Sequence, residues 1–459
     1  MKIKSILFIV FIGLTSLSLP AQEKLTILTR QEKAQAIETI CVRLNRFYVF
    51  PDIAKQMEAH IKSKLAAGAF EKTDDAAAFA DAVTQELRAV SHDKHLGLFF
   101  GPNPDLQPRQ DLALRRILNR IDLEESNYGL DRVEILPGNV GYLSIRSVMF
   151  YEPVKDILSA AMKLLSNTNA IIFDLRDNRG GDPQYMAYLF GFFFDKPIHI
   201  NSVYWRDRDR MVEFWTTAEV PGRKMIDVPL FVLINRRTFS GAEEFAYDLQ
   251  ALKRATIIGE VSEGGAHPSS SFVVYKDLRI LIPLGRAINP VTGTNWEGIG
   301  VKPDIEVSSD AALTMAAEKA NAAGEKYREA KKSRILAKYQ ECSASLAEAE
   351  KLFQANNAKA GADLVASALK QALEADLHTQ ASVNRMGYDF LEKKSYPMAI
   401  AILDFNASAF PKSANAYDSL GEAYLRSGDK ARAREWYMKA LALDPNLASA
   451  KKALQEIDR

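Results

Sequence analysis

Between residues 133 and 305 short apolar runs alternate with helical segments, and this alternation restricts the fold more than any other feature of the chain. VGYLSI at 140–145, AIIFDL at 170–175, PLFVLIN at 229–235 and TIIGE at 256–260 read as strands. Helical patterns occupy 153–165, 186–194 and 240–252. Such alternation calls for parallel strands with helices packed on the sheet faces. FVVYK and LRILIPL (272–284) read instead as an antiparallel pair, and the domain closes near Ile305.

The flanks have a different texture. Residues 28–90 are helical, with Ala36, Ile37, Ile40, Val42 and Leu44 expected on one face, a restart at Pro51-Asp52 and a break at Gly68. From about 310 nearly everything is helical. There Gly387 and Gly421, Leu391 and Leu425, Ala399 and Ala433, and Pro411 and Pro445 recur at a spacing of 34. Small residues at such points let helices cross closely, and each proline ends a helix pair. The pattern resembles tetratricopeptide repeats, with 343–376 as a degenerate third unit. The expected division is a signal peptide at 1–21, a helical bundle at 22–125, a core at 126–308, a helical connector at 309–376 and repeats at 377–459.

The signal peptide is read from Lys2 and Lys4, the apolar run ILFIVFIGL (6–14) and Leu19-Pro20-Ala21, with cleavage expected after Ala21. The run is shorter than the ~20 residues of a membrane span. No cysteine follows it, which argues against a lipoprotein anchor. The chain is therefore expected to be exported, periplasmic or secreted, without stable membrane insertion. Lys and Arg number 59 against 58 Asp and Glu. That balance excludes nucleic-acid binding as the main activity. Arg206, Arg208 and Arg210 alternate with Asp207 and Asp209, so 201–216 is expected to be an exposed hairpin. Cys41 and Cys342, far apart in helical segments, are expected to be free buried thiols.

Three stretches carry residues suited to chemistry. In NRRTFSGAEEF, Ser240 falls where a buried strand turns into a helix, a setting that presents a nucleophilic serine. Gly241 and its neighbours would aim amides at a developing oxyanion. The same four residues also read as a capping box, with Ser240 as N-cap and Glu243 at N3. In DLRDNRGGDP, Gly180 and Gly181 end a strand and free backbone amides for a ligand. The stretch lacks the Lys-Ser/Thr of a phosphate loop. In SHDKHLGL, two of six histidines lie within four residues. A serine nucleophile needs a base nearby, whereas a zinc site would need further ligands that no second cluster supplies.

In this order these stretches resemble the tail-specific, or C-terminal processing, peptidase family. The branch resembled is that of the interphotoreceptor retinoid-binding protein, with the tricorn core protease a more distant relative. YVFPDIAKQMEAHI resembles its N-terminal domain. DLRDNRGGDP, TFSGAEEF, IIGEVSEGGAHP and NWEGIGVKPDIEV resemble its successive core motifs. The likeness implies a multidomain α+β chain: a helical N-terminal bundle, an α/β peptidase core and an all-α repeat module. It implies Ser240 as nucleophile and an oxyanion hole from Gly241 with Gly180 or Gly181. One branch of the family uses a lysine base, but Gly265 stands at or near that place here. The tricorn-like alternative takes a histidine from an Asp-x-His motif and a late glutamate, matched by His95 in Asp93-Lys94-His95 and by Glu297. Lys94 replaces the serine of that motif, which leaves His92 as an outside candidate. His267 is expected to be a structural loop histidine and Lys94 an exposed one. Residues 101–132 are too few for the PDZ domain many members carry.

The signal peptide and the resemblance together imply an exported serine peptidase acting on a peptide or protein substrate, without metal or organic cofactor, with repeats that recruit a protein partner or the substrate. The alternative on the same fold is a non-catalytic binder of hydrophobic, retinoid-like or fatty-acid-like ligands.

Overall fold

The computed structural model describes residues 26–73, 75–101, 109–148 and 151–458. The expected signal peptide lies outside them. Two compact units are present, divided between Glu325 and Lys326.

In the first unit, helices α1 (Arg30–Phe47), α2 (Pro51–Ala66) and α3 (Ala76–Ser91) follow the predicted periodicity. Thr29 and Glu32 form a capping box at the start of α1. The buried face of α1 is Ala36, Ile37, Ile40, Cys41 and Leu44. Val42 is exposed, because a true 3.6-residue repeat turns it away from the stripe. The three helices form the expected N-terminal bundle, but it does not stand alone. Their core is continuous with Leu278, Ile280 and Ile282 of a small antiparallel sheet. That sheet has the order β1 (Gly97–Phe100), β10 (Leu278–Pro283), β9 (Ser269–Tyr275). Its β9–β10 pair is the one expected from the sequence.

After α4 (Arg109–Glu125) the chain builds a six-stranded sheet. It uses β2 (Leu130–Leu136), β3 (Val140–Ile145), β4 (Ala170–Asp174), β7 (Leu230–Ile234), β8 (Ala255–Gly259) and β12 (Ile305–Glu306). The order is β12-β8-β7-β4-β3-β2, parallel except for β2. Alternate residues Val140 and Tyr142, Ala170 and Ile172, Phe231 and Leu233 form one apolar face. Ala312, Ala316 and Ala320 of α8 (Ser309–Gln354) cover it, their small side chains permitting close approach. The sheet therefore draws its cover from residues beyond Ile305.

Other connections are α5 (Tyr151–Leu165), α6 (Pro183–Phe190) and α7 (Gly241–Ala251). The segment expected to be helical over 186–194 starts earlier, at a proline capped by Asp182, and stops before Gly191, where turns bring Phe192 and Phe193 into the core. The charged stretch forms the hairpin β5 (His199–Trp205) and β6 (Arg210–Trp215), with β11 (Gly285–Ile288) on the other side of β5. It is less exposed than expected. Asn201, Ser202 and Val203 are buried, and the Arg206 guanidinium donates to the carbonyls of Tyr48 and Asn45.

The second unit is all-helical, with α9 (Ala358–Glu374), α10 (Gln380–Glu392), α11 (Tyr396–Ala409), α12 (Ala414–Arg426), α13 (Lys430–Leu443) and α14 (Ala448–Ile457). A Cβ on Gly387 would lie 2.5 Å from Leu403, and one on Gly421 3.0 Å from Tyr437. The matched glycines thus serve matched helix crossings. Cys41 and Cys342 are free and buried. Among the described residues no helix is long and apolar enough to cross a membrane.

Candidate active site

The site forms where the adjacent parallel strands β4 and β7 end, the usual place for ligands in open parallel sheets. The loop after β7 carries Ser240 into α7 at φ 53° and ψ −125°, a backbone region costly for a residue with a Cβ. Such strain persists only where surrounding bonds hold it, and here they do. The Ser240 amide donates to Glu243 Oε2 at 2.9 Å, the Phe239 amide to the Asn178 carbonyl, and the Thr238 hydroxyl to the Leu175 carbonyl. The bond from the Ser240 amide belongs to the capping box with Glu243 that the sequence predicts. Ser240 Oγ lies 3.1 Å from His95 Nε2. Both readings the sequence left open for this serine meet here, the cap holding the turn and the hydroxyl facing a base.

His95 arrives from the turn between α3 and β1, 145 residues upstream. Its amide donates to Asp93 Oδ1 at 3.0 Å, and its ring packs on Phe239 with centroids 4.5 Å apart. Burial disfavours the imidazolium and pushes the ring down to about 4, against a smaller opposing pull from Asp93. The ring is therefore neutral at ordinary pH and able to accept a proton. Its buried Nδ1 has no hydrogen-bond partner among the described residues. His92 is exposed and ends α3 in a left-handed conformation at φ 55°.

Glu297 stands beside His95 without bonding to it. Its carboxylate accepts from the Ala266 amide and, at 3.5 Å, from the Lys94 amide, and lies 3.4 Å from His267 Nδ1. His267 is buried and bonds to Asp93 Oδ2 at 2.7 Å, where the Tyr48 hydroxyl also donates. Burial pulls His267 down, but Asp93 and Glu297 outweigh it and its pKa is raised. Lys94 is half-buried, not exposed, because its ammonium donates to the Glu263 carbonyl. One donor atom each of Asp93, His95 and Glu297 lie within 4.8 Å of one another, the grouping best placed to hold a metal ion. Asp93 is already committed there to His267, Tyr48 and the His95 amide.

Candidate oxyanion donors separate cleanly. The Gly180 amide donates to Asn178 Oδ1 at 2.8 Å and is spent. The amides of Gly181 and Gly241 have no acceptor among the described residues, and Gly181 N would lie 3.1 Å from a Cβ on Gly241. Two unpaired amides beside a serine hydroxyl are what an oxyanion requires. Arg176 takes no part, being bound in a fork to Asp174, with a third bond to the Ser309 carbonyl.

Three residues within the motifs take roles at the site that the sequence did not assign. Asn178 fixes the glycine loop through Gly180 and the Ile145 carbonyl. Glu243, expected only as the N3 partner of a cap, also accepts from the Ser262 hydroxyl and the Gly264 and Gly265 amides. It joins the serine turn to the loop behind His95, and burial lifts its carboxyl to about 7. Glu244 lines the cleft itself, a cavity of about 540 Å³ shared by His95, Ser240, Gly181 and Gly241.

A serine at a strained strand-to-helix turn, a neutral histidine and two open amides around one cleft define a centre of the serine-hydrolase class. The comparisons agree and are more specific: residues 139–307 match the model of peptidase family S41, and the chain carries that domain. Residues 21–123 match the N-terminal domain of peptidase S41 in eukaryotic IRBP, and 414–447 a tetratricopeptide repeat. The chain is similar to carboxyl-terminal-processing peptidase 1, chloroplastic, of Arabidopsis thaliana, at 28% identity over 43% of this chain and 39% of that one. It is similar also to a carboxy-terminal-processing protease of Bartonella bacilliformis, at 31% over 37% of this chain and 39% of that one. It thus spans about two-fifths of the length of these relatives. The solved photosystem II D1 C-terminal processing protease is similar at 16% identity and a TM-score of 0.40, over 62% of this chain and 95% of that one.

Proposed function

We propose that this chain is an exported serine peptidase, with Ser240 as nucleophile and His95 as base. The observation that carries this reading is the 3.1 Å approach of Nε2 of a neutral, half-buried His95 to the hydroxyl of a serine held in a strained turn. Ser240 Oγ attacks a peptide carbonyl while His95 Nε2 takes its proton and later returns it to the leaving amine. The amides of Gly181 and Gly241 receive the oxyanion, each contributing about 2.7–4 kcal/mol by analogy with other acyl-transfer sites. Glu297 acts on the base indirectly, holding the Lys94 and Ala266 amides and His267 around it. The names of the relatives suggest substrates cut near their carboxyl ends. The repeat unit is assigned to recruiting a protein partner or the substrate chain.

A fluorophosphonate probe tests the nucleophile. Wild type should be labelled at Ser240 and hydrolyse peptides, and Ser240→Ala should do neither while melting within about 0.5–2 kcal/mol of wild type. Hydrolysis by Ser240→Ala at a comparable rate overturns the assignment. Ending the chain after Glu325, not after residue 310, keeps the alanines that cover the sheet. That truncation should spare short peptides and slow the cleavage of long or folded substrates, and an equal loss on both would make the repeats structural.

A further inference from the structure

One buried acid in the cleft serves no purpose in the mechanism above. Glu244 lies one residue beyond Glu243 on the first turn of α7 and points the other way, into the cavity that holds Ser240. Only 7% of it is exposed. Asn201 Nδ2 donates to Oε1 at 3.0 Å, and Oε2 has no partner among the described residues. One turn further, Asp248 is fully buried. Its Oδ1 accepts from Asn289 at 2.8 Å, and its Oδ2 is unpaired. Two carboxyl groups thus stack along one helix face beneath the cleft without a cation, and of their oxygens Asp248 Oδ2 is both buried and unpaired among the described residues. Burial raises both, and the Glu244 charge raises Asp248 further.

A largely buried carboxylate on a cleft wall, bonded through one oxygen only, is completed by a cationic donor. The other charge lining the cleft is not that donor: Arg179 is bound to Glu263 and lies over the Phe239 ring. Val203, Leu281, Ala287 and Trp296 also line the cleft and offer contact to a hydrocarbon stem but no charge. A cleft with apolar walls and one acid suits a long side chain with a cationic tip.

We propose that Glu244, held by Asn201, is the floor of a substrate side-chain pocket beside Ser240 and selects a lysine or arginine at the cleavage site. The pocket rests on the peptidase reading. The incoming ammonium or guanidinium donates to Glu244 Oε2 in a charge-assisted bond.

The test uses blocked peptides that differ only at the residue before the scissile bond: lysine, arginine, norleucine or glutamine. Wild type should favour lysine or arginine over norleucine by about 30-fold or more in kcat/KM. Glu244→Gln should lose that preference. The same peptides are titrated calorimetrically into the Ser240→Ala chain, where lysine should again bind more tightly than norleucine. Equal use of norleucine by wild type, a preference for glutamine equal to that for lysine, or selectivity retained in Glu244→Gln overturns the inference. Cleavage without a cationic preference leaves the peptidase reading standing and removes the pocket. Selective binding by Ser240→Ala, with no cleavage of any peptide by wild type, does the reverse.

Discussion

Replacing Gly265 by alanine should disable the site while leaving the fold largely intact. A Cβ there would lie 2.2 and 2.4 Å from Phe239 ring carbons and 2.7 Å from His95 Cε1, against ordinary contact at 3.4 Å or more. The Phe239 edge must therefore withdraw by about 1 Å, an overpacking that costs roughly 1–3 kcal/mol. It cannot move alone. Phe239 lies against the His95 ring, has Arg179 4.6 Å from its centroid, and directly precedes Ser240. A displacement of about 1 Å between nucleophile and base lowers the rate on the order of 100-fold. The assay is the rate of fluorophosphonate labelling together with kcat/KM on a short peptide, run beside a melting curve. Gly101→Ala, where nothing lies within 4 Å, is the control and should be silent. Gly265→Ala that labels at the wild-type rate would refute the packing argument. The same arithmetic bars a lysine from this position, so the base must come from elsewhere.

Three further outcomes follow from the geometry. Because burial holds His95 near 4, kcat/KM should fall only as acid protonates the ring below about that pH, and a limb near the ordinary 6.5 would show the ring to be solvated. Glu243→Ala takes the acceptor from the Ser262 hydroxyl and from the Ser240, Gly264 and Gly265 amides, so stability should drop by about 3 kcal/mol or more, with slower labelling of Ser240; an unchanged melting temperature would refute this. Gly387→Val, meeting Leu403 at 2.5 Å, should destabilise the repeat unit by about 1–3 kcal/mol and leave short-peptide cleavage untouched, as separate melting and activity measurements would reveal.

The legible parts of the site were those with local causes. The turn at Ser240 could be read from a buried strand running into a helix, and the glycine pair from its place at a strand's end. His95 was singled out from the histidine pair of its segment only through resemblance, since nothing within that segment says that it meets a residue 145 positions away. Glu244 was not legible at all. Its neighbour Glu243 has the same charge on the same turn, and only the packing of β5 against α7 decides which acid enters the cleft.

The sequence by itself determined the elements, the strand pairing of 272–284, the absence of a lysine at 265 and the 34-residue spacing of the helix pairs. These depend on periodicity, turn chemistry and side-chain size within a few residues. Tertiary structure alone decided that the N-terminal helices share a core with β9 and β10, which carries His95 to Ser240. It also decided which of two adjacent glycine amides stays open, because Asn178 engages Gly180 and not Gly181. Protonation belongs to the same level. Desolvation is a property of the assembled cleft, so His95 is driven neutral and Glu243 is raised only once segments far apart in the chain have closed around them.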